Sequence, residues 1–515
     1  MYDYVIVGAG SAGCVLANRL SEDPDVSVLL LEAGGPDTNE LVHLPAAFSA
    51  LYRTAQDWDH STIYEPYAND RRIYLPRGRV LGGSSSINAM IYIRGNPLDY
   101  DEWGAGWTWD ELLPYFERSA ETLPISEGRS RNPLAQHFLD AATAIGLPLN
   151  EDFNGESQEG VGWYRVTQRG GARASAAVAY LHPVMSRPNL TVETHVQALS
   201  ILFEGGRAVG VVGARLSEMV VHRAEREVVV CGGTYNSPQL LMLSGLGRPA
   251  ELEELQIDVV AESPEVGLNL HDHPNSGAVY GIDEEISLFG ALNEENLALF
   301  EAEGRGPLTS NVAEAGGFMR TREGLDAPDV QFHFAPARFQ SEGLVPGDGH
   351  GFALGACVLK PKSRGFVALG SPDPTAKPLI VHNYLEHPDD VASMVAGVKV
   401  CLEICATGRL GELSTGMLIG PDSNSDEDIE AHCRQRLQTL YHPVGTCRMG
   451  DEPTAVVDRE LRVRGVEGLR VVDASVMPSV PRGNTNGPVI ALAERASDLI
   501  RGKTPLGAQQ ELEVA

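Results

Sequence analysis

Three glycines near the start of the chain and one acidic residue downstream are spaced to bind the phosphates and a ribose of a dinucleotide. Gly8, Gly10 and Gly13 form a G-x-G-x-x-G turn, and Glu32 lies nineteen residues after the last glycine. The first glycine permits a tight turn, the second lets a pyrophosphate approach the backbone, and the third lets a helix pack closely on a strand. The N-terminus of that helix offers free N–H groups and partial positive charge to phosphates.

The elements around these residues are the ones that such a site requires. Residues 2–7 (YDYVIV) have the pattern of a buried parallel strand, and helical spacing continues as far as Leu20. Residues 26–31 (VSVLLL) form a second apolar strand that ends at Glu32, where a carboxylate can accept from ribose hydroxyls. The pattern therefore predicts a Rossmann-type βαβ unit rather than an ordinary turn between a strand and a helix.

The number of such fingerprints bears on which dinucleotide is bound. We find no second G-x-G-x-x-G that follows a strand and opens a helix, whereas an enzyme that passes electrons from NAD(P)H to a flavin usually needs two sites. Residues 32–35 (EAGG) also resemble the corresponding turn of FAD proteins. The sequence favours FAD as a single resident cofactor.

Composition limits the classes of partner. The 515 residues suffice for two domains, or for one domain with a large insert, and 40 basic against 70 acidic side chains give a net charge of −30. This charge argues against nucleic acid and anionic membrane surfaces. We expect no transmembrane helix, because no apolar run of about 18 residues occurs. A strand starting at Tyr2 leaves no room for a signal peptide, and seven cysteines without C-x-x-C spacing predict a reduced cytoplasmic protein without a zinc site.

The rest of the chain alternates between two patterns. Buried strands followed by helix starts recur before residue 275 and after residue 440, whereas segments 329–337, 352–360 and 365–371 predict an antiparallel sheet. We therefore expect an α/β fold, α+β overall, in which a substrate domain built on an antiparallel sheet interrupts the FAD-binding domain. The FAD-binding domain is expected at 1–135, 186–275 and 440–502, the substrate domain at 136–185 and 276–439, and a tail at 503–515.

Three longer stretches carry a family resemblance. They are residues 78–88 (GRVLGGSSSIN), residues 233–247 (GTYNSPQLLMLSGLG), and residues 441–450 (YHPVGTCRMG) followed by 483–488 (GNTNGP). The chain resembles the glucose–methanol–choline (GMC) oxidoreductase family, and within it the bacterial choline-dehydrogenase-like alcohol dehydrogenases. The resemblance extends from about residue 2 to residue 502. It implies an FAD-binding domain, a large antiparallel sheet over the flavin, and oxidation of alcohols by hydride transfer to flavin N5.

The same resemblance implies which residues hold the cofactor. Glu32 would bind the adenosine ribose, Val196 would meet the adenine through its backbone, and Asp473 and Ala474 would touch the ribityl–pyrophosphate segment. The full set expected to bind FAD is Gly8, Gly10, Ser11, Gly13, Glu32, Ala33, Arg79, Gly82, Gly83, Ser84, Asn88, Ala89, Met90, Ile91, Val196, Asp473, Ala474, Asn486 and Pro488. Some family members attach FAD through a histidine where this chain has Ile87, so noncovalent FAD is expected.

Two residues are expected to carry the chemistry. His442 matches the family's catalytic histidine, and Asn486 matches its second active-site residue, which is His or Asn among members. Asn484 can be confused with Asn486, and helix capping is the alternative role for either. A neutral histidine with a pKa of about 6.5 can take the hydroxyl proton at neutral pH. Asn486 can donate to the same oxygen as alkoxide character develops.

The substrate is expected to be an uncharged primary alcohol, aliphatic or aryl, rather than choline. Choline recognition needs an aromatic cage and a nearby carboxylate. Phe332, Phe334 and Tyr441 are candidates to line the site, and Glu314 could supply the carboxylate, although a structural role is expected for it. Choline, aryl-alcohol and hydroxymethylfurfural-type oxidation are alternatives, as are hydroxynitrile cleavage and an FAD-bearing sensor without catalysis. The electron acceptor is expected to be O₂ or a quinone-like molecule.

Overall fold

Helices and strands alternate along most of the chain. The computed structural model describes residues 1–216, 218–345 and 347–506. The α-helices are α1 (Ser11–Leu20), α2 (Glu40–His43), α3 (Pro97–Asp101), α4 (Trp109–Thr122), α5 (Pro133–Ala144), α6 (Gly233–Leu243), α7 (Pro249–Glu254), α8 (Glu294–Glu303), α9 (Pro388–Cys405), α10 (Gly408–Leu413), α11 (Asp426–Arg436) and α12 (Asn486–Ile500). Single turns of 3₁₀ helix include Gly83–Ser86 and Ala474–Val476.

The strands form two large sheets and several short pairs. They are β1 (Tyr2–Val7), β2 (Val28–Leu31), β3 (His60–Ser61), β4 (Tyr74–Leu75), β5 (Ser126–Glu127), β6 (Gly160–Trp163), β7 (Arg165–Val166), β8 (Gln168–Arg169), β9 (Ala172–Arg173), β10 (Leu190–Glu193), β11 (Val196–Glu204), β12 (Arg207–Arg215), β13 (Glu218–Val230), β14 (Leu246–Gly247), β15 (Ala261–Glu262), β16 (Pro274–Ile282), β17 (Ala315–Met319), β18 (Val330–Ala335), β19 (Gly351–Val358), β20 (Phe366–Ala368), β21 (Leu379–Val381), β22 (Ser414–Ile419), β23 (Gln438–Thr439) and β24 (Leu469–Val471).

The first large sheet contains the predicted βαβ unit. Strands β10, β2, β1 and β13 pair in parallel in that order, and β24 adds a further parallel partner to β13. The long strand β13 also pairs antiparallel with β12, which pairs with β11. Val5 and Ile6 are fully buried in β1, as expected for a strand covered on both faces. The unit β1–α1–β2 confirms the prediction, with β2 beginning two residues later than the apolar run.

The second large sheet is antiparallel and follows the order β22-β16-β19-β18-β17-β6, with β23 paired to β16. Helices α5 and α9 pack against one of its faces. The predicted antiparallel sheet and the mixed α/β class are thus confirmed. One segment differs: β20 pairs with β21 in a separate two-stranded sheet. The backbone of β20 bonds to the segment that precedes β16. The N–H of Val367 donates to the carbonyl of Gly267, and Leu270 pairs with Gly365 just before β20.

Helix α12, near the end of the chain, packs against α1 and α4 from its first part. Glu494 is fully buried in α12, and it accepts from the guanidinium of Arg19 in α1 at 2.8 Å and 2.9 Å. This pair ties the middle of α12 to the last turn of α1. None of the helices within the described ranges is both long enough and apolar enough to cross a bilayer. The predicted tail lies mostly outside the described residues.

Candidate active site

A cavity of about 670 Å³ extends from the carboxyl end of β2 to the antiparallel sheet. One part of its lining comes from the glycine turn after β1 and from Glu32 after β2, where the parallel strands end. Another part comes from His442 and from residues of β16, β18 and β19 in the antiparallel sheet. A ligand that fills this cavity would therefore contact both large sheets at once.

Glu32 is the buried acid at the nucleotide end of the cavity. Its carboxylate accepts from the backbone N–H of Ala9 at 3.0 Å and of Gly34 at 2.8 Å. Burial raises the pKa of Glu32 to about 7, against the lowering effect of those two bonds and of Arg79. These bonds aim the side chain along the edge of the cavity, where it can also accept from ribose hydroxyls.

The two glycine-rich segments approach each other closely. Gly82 N–H donates to Ala9 O at 2.8 Å, which ties the loop before the Gly83–Ser86 turn to the β1–α1 turn. A Cβ on Gly83, where φ is +54°, would lie 2.7 Å from Gly10 Cα. A side chain at this position would therefore close the gap between the segments. Because Gly10 and Gly83 have no side chains, their backbone leaves room here for a pyrophosphate.

The N-termini of α1 and α12 meet at the same place. Ser11 Oγ donates to Asn486 Oδ1 at 2.7 Å, which links the first residues of the two helices. Within the described residues, neither helix start has a side-chain cap or an acidic residue in its first turn. Two sets of backbone N–H groups with partial positive charge thus border the cavity. This donor set fits the phosphates of FAD and the negative charge of its reduced ring.

His442 lies at the other end of the cavity and is held on several sides. Its backbone N–H donates to Asp272 Oδ1 at 2.7 Å, and its Nδ1 lies 3.0 Å from His273 Nδ1. Its Nε2 lies 3.2 Å from the amide nitrogen of Asn484, which also lines the cavity. The preceding residue, Tyr441, has φ +64°, an unfavourable value for a non-glycine residue that costs about 1–3 kcal/mol.

Asp272 is the anchor of this arrangement. Its carboxylate is almost completely buried and accepts from the backbone N–H groups of both His273 and His442 at 2.7 Å. It also accepts from the hydroxyls of Thr439 and Tyr384. Burial raises the pKa of Asp272, although these donors oppose that shift. The loop before β16 and the segment after β23 are thereby fixed to each other.

The electrostatic surroundings keep His442 neutral. Burial lowers the pKa of His442 well below 6.5, and His273, His333 and Arg77 lower it further. The Arg77 guanidinium donates to Tyr441 O at 2.5 Å, so its positive charge lies close to the imidazole. A neutral imidazole has one nitrogen free to accept a proton. His442 can therefore act as a base at neutral pH.

The structure corrects the choice between the two asparagines. Asn484, rather than the predicted Asn486, contacts His442. Asn486 begins α12, accepts from Ser11 and borders the cavity, and its predicted role in FAD binding stays a prediction. Asn484 Oδ1 accepts from Gln331 Nε2 at 3.2 Å, and this bond turns the amide nitrogen towards His442. The residues differ by two positions: Asn484 precedes α12, whereas Asn486 is its first residue.

Two of the predicted substrate residues lie on the wrong face of β18. Phe332 and Phe334 are fully buried on the helix-covered face of the sheet, where Phe334 stacks on Phe138 with ring centroids 5.0 Å apart. Because side chains alternate along a strand, His333 and Ala335 line the cavity instead. Both ring nitrogens of His333 lack a hydrogen-bond partner among the described residues.

The two remaining substrate candidates, Tyr441 and Glu314, lie in different surroundings. Tyr441 lines the cavity, in accordance with the prediction, and its ring lies 6.3 Å from that of Tyr52. Glu314 has a structural role, because its carboxylate accepts from the Ser130 hydroxyl at 2.7 Å, the Asn132 N–H at 2.8 Å and the Ser310 hydroxyl at 2.5 Å. A different carboxylate, that of Glu342, lines the cavity.

Most of the predicted cofactor residues border the cavity. They are Gly8, Gly10, Ser11, Glu32, Ala33, Gly83, Ser84, Asn88, Ala89, Met90, Ile91, Val196, Asp473, Ala474 and Asn486. The other four predicted cofactor residues do not border the cavity; they are Gly13, Arg79, Gly82 and Pro488. A Cβ on Gly13 would collide with Gly8 O at 1.9 Å, so this glycine serves the packing of α1. The guanidinium of Arg79 lies over Trp58 at 5.0 Å.

No role was predicted from the sequence for His273, His333 and Glu342, and Asn484 was named only as a residue that can be confused with Asn486. His273 belongs to the segment 266–274 (VGLNLHDHP), which contains two histidines, and the sequence does not show which of them approaches His442. The alternation of β18 could have indicated His333, because Phe332 and Phe334 share one face and His333 must lie on the other. Val196 borders the cavity, and its backbone N–H donates to Glu32 O at 2.9 Å.

Comparison with known proteins places this cavity in context. Two sequence models described as GMC oxidoreductase match residues 2–275 and residues 361–493. The alcohol dehydrogenase (acceptor) of Pseudomonas putida is 43% identical, and the match covers 99% of this chain and 97% of that protein. The oxygen-dependent choline dehydrogenase of Brucella anthropi is 41% identical over the same shares of the two chains.

A solved structure shows the same fold. It is a formate oxidase from Aspergillus oryzae, solved in a study of FAD modification, with a TM-score of 0.91 and 27% sequence identity. The match covers 97% of this chain and 98% of that one.

Proposed function

This chain belongs to the GMC oxidoreductase family, and on that premise we propose that it oxidises a primary alcohol to the aldehyde, with His442 as the base. The protein is an FAD-dependent oxidoreductase. The cavity accommodates a long ligand whose phosphates would lie at Gly10 and Gly83 and whose ring would lie towards His442. Bound FAD supplies the acceptor for a hydride.

The observation that carries the proposal is the convergence of two side chains in the cavity. His442 Nε2 and the Asn484 amide nitrogen lie 3.2 Å apart, in the same cavity as the pyrophosphate gap. The amide of Asn484 has two N–H groups, of which one donates to His442 Nε2. The other can donate to a substrate oxygen beside both side chains.

These two groups suit the oxidation of an alcohol. A hydroxyl is a weak acid, so its carbon releases hydride readily only as the proton leaves. The O–H bond breaks as His442 Nε2 takes the proton, and the electron pair left on oxygen forms the second bond of the aldehyde C=O group as the C–H electron pair leaves with the hydride. The Asn484 N–H stabilises the charge on oxygen during this step. The N-terminus of α12 stabilises negative charge that accumulates nearby.

FAD is proposed to be bound without a covalent link. Ile87 is buried in an apolar cluster with Val42, Phe48 and Tyr52, and it borders the cavity. An aliphatic side chain offers no nucleophile for attachment to the flavin. The contacts that would hold the cofactor are instead the two helix N-termini, the glycine gap and Glu32.

The proposed substrate is an uncharged primary alcohol, aliphatic or aryl. Apolar side chains supply part of the lining, including Val312, Ala313 and Leu440. Glu342 favours choline as a second candidate, because it lies on the cavity wall together with the aromatic rings of Phe48, Tyr52, Phe339 and Tyr441. Burial raises the pKa of Glu342 to about 7, and the positive charges of Arg71 and Arg53 oppose that shift. The same two charges offset the attraction of Glu342 for a cationic substrate.

Anaerobic mixing of the purified holoprotein with 1-butanol, benzyl alcohol, choline and mandelonitrile tests this proposal. We expect an alcohol to bleach the flavin absorbance, with one aldehyde formed for each flavin reduced. Release of aldehyde and cyanide from mandelonitrile without any bleaching by the alcohols would favour hydroxynitrile cleavage. Reoxidation of the reduced protein by O₂ or by a quinone then identifies the acceptor, for which we propose one of these two.

A further inference from the structure

A second histidine stands behind the proposed base, away from the cavity. His273 is fully buried in the loop that enters β16 and does not belong to the cavity lining. Its Nε2 lies 3.0 Å from the backbone carbonyl of Leu359, and its Nδ1 lies 3.0 Å from His442 Nδ1. The rings are nearly perpendicular, with an interplanar angle of 85°. His273 therefore touches the base on the side opposite to Asn484.

The carbonyl of Leu359 sets the direction of this chain of bonds. A carbonyl oxygen accepts and never donates, so the proton of a neutral His273 is on Nε2. Its Nδ1 is then a bare acceptor, and the contact with His442 requires a proton on His442 Nδ1. His442 Nε2 is left without a proton, and it faces the cavity.

A second chain of bonds reaches the same nitrogen from the other side. The Tyr164 hydroxyl donates to Phe332 O at 2.5 Å and accepts from Gln331 Nε2 at 3.1 Å. Gln331 Nε2 also donates to Asn484 Oδ1, so the Asn484 amide nitrogen must point to His442. This nitrogen donates, and His442 Nε2 has to accept. Two independent backbone carbonyls thus require the same tautomer of His442.

The charges around the pair do not favour a second proton on either ring. His273 faces Lys360 and His333, and burial together with these groups lowers its pKa to about 3. His442 faces His333 and Arg77. The nearby acid, Asp272, already accepts two backbone N–H groups and two hydroxyls. Both imidazoles are therefore neutral, and a single proton lies between their Nδ1 atoms.

We propose that His273 is a positioning residue that fixes the tautomer of His442, so that the bare nitrogen of the base always faces the substrate. In solution a neutral imidazole exchanges between two tautomers, and the hydrogen bond at one nitrogen decides which one prevails. A His442 protonated on Nε2 could not accept the hydroxyl proton. The inference rests on the proposed role of His442 and adds the residue that keeps this base in its active form.

The partner of the base is neutral, which has a further consequence. When His442 accepts the proton at Nε2, its Nδ1–H still donates to a neutral imidazole rather than to a carboxylate. A carboxylate at this position would stabilise the imidazolium and raise the pKa of His442. His273 thus orients the base without increasing its basicity. A base of low pKa releases its proton readily at the end of a turnover.

Substitution at position 273 separates this role from simple packing. His273→Leu removes the acceptor, so we expect flavin reduction at least about tenfold slower, with FAD retained, since a wrong tautomer disables a catalytic histidine. His273→Asn places a carbonyl oxygen near the position of Nδ1, and should restore the rate to within about threefold of the wild type. His273→Asp supplies a carboxylate, and should move the acid limb of the rate–pH profile up by about one unit or more.

The tautomer itself has a direct readout that does not depend on activity. Nitrogen NMR of the holoprotein labelled at histidine reports which ring nitrogen carries the proton, and the His442→Gln variant assigns the signal. We expect a protonated Nδ1 and a bare Nε2 for His442 in the wild type and in His273→Asn. A mixture of tautomers is expected in His273→Leu.

The outcomes distinguish this inference from the proposed function. A proton on His442 Nε2 in the wild type would overturn the inference, and so would equal rates in Leu, Asn and Asp variants with an unmoved acid limb. Flavin reduction at the wild-type rate in His442→Ala would instead overturn the role of the base itself. Slow reduction in His442→Ala with unchanged position-273 variants would leave the proposed function standing and remove only the tautomer role.

Discussion

Replacing Asn484 with alanine removes the amide that lies 3.2 Å from His442 Nε2. If this amide donates to the substrate oxygen, the variant loses a hydrogen bond that strengthens as the O–H proton departs. Loss of one such donor costs about 3–4 kcal/mol, which corresponds to roughly 10²–10³-fold in rate. Because Asn484 is half-buried at the cavity, where water can partly replace a neutral donor, we expect the lower end, about 10²-fold.

Asn486→Ala is the matched control, two residues away and of the same type. It removes the bond from Ser11 that joins the N-termini of α1 and α12. A hydrogen bond of this kind contributes about 0.5–1.5 kcal/mol. We therefore expect FAD to bind roughly two- to tenfold more weakly, while the rate of flavin reduction in the loaded protein stays within about threefold of the wild type.

Anaerobic rapid mixing with saturating alcohol measures the rate of flavin reduction in both variants, and titration of the apoprotein with FAD measures the affinity. The reasoning predicts a slow Asn484→Ala protein with normal FAD affinity and the opposite pattern for Asn486→Ala. A slow Asn486→Ala protein beside an Asn484→Ala protein of normal rate would refute the correction made from the structure.

Three further predictions concern pH, the cofactor link and the substrate. Burial lowers the pKa of His442 below 6.5, so the base is neutral at pH 6.5. Flavin reduction should therefore slow only as the pH falls through the lowered pKa. A midpoint above pH 6.5 in a rapid-mixing pH series would contradict this. Acid precipitation should release yellow FAD into the supernatant, whereas flavin retained in the washed pellet would refute noncovalent binding. Values of kcat/KM should favour 1-butanol or benzyl alcohol over choline; a tenfold preference for choline, abolished by Glu342→Gln, would establish the second candidate.

The βαβ unit could be predicted because its signals are local. The spacing of Gly8, Gly10 and Gly13, the apolar run before them and the acid after the second strand all lie within about thirty residues. The antiparallel sheet was also predictable, since alternation along each strand is a property of that strand alone. What joins these parts, the cavity between two sheets, depends on contacts between residues hundreds of positions apart.

The errors arose where a small local choice depends on distant packing. Whether Asn484 or Asn486 meets His442 depends on where α12 begins, and the buried Arg19–Glu494 pair fixes that helix against α1. The face of β18 that meets the cavity depends on α5, whose Phe138 covers Phe334. The sequence shows which residues of β18 share a face, but not which of the two faces the helix covers.

The measurement that tests the central claim most directly is a deuterium isotope effect on anaerobic flavin reduction, measured in the wild type and in His442→Ala with the best alcohol of the panel. The account predicts a primary isotope effect from deuterium on the carbinol carbon, and a His442→Ala protein that binds FAD normally but reduces it about 10²-fold more slowly. Flavin reduction by His442→Ala at the wild-type rate, or no reduction of the wild type by any alcohol, would contradict it.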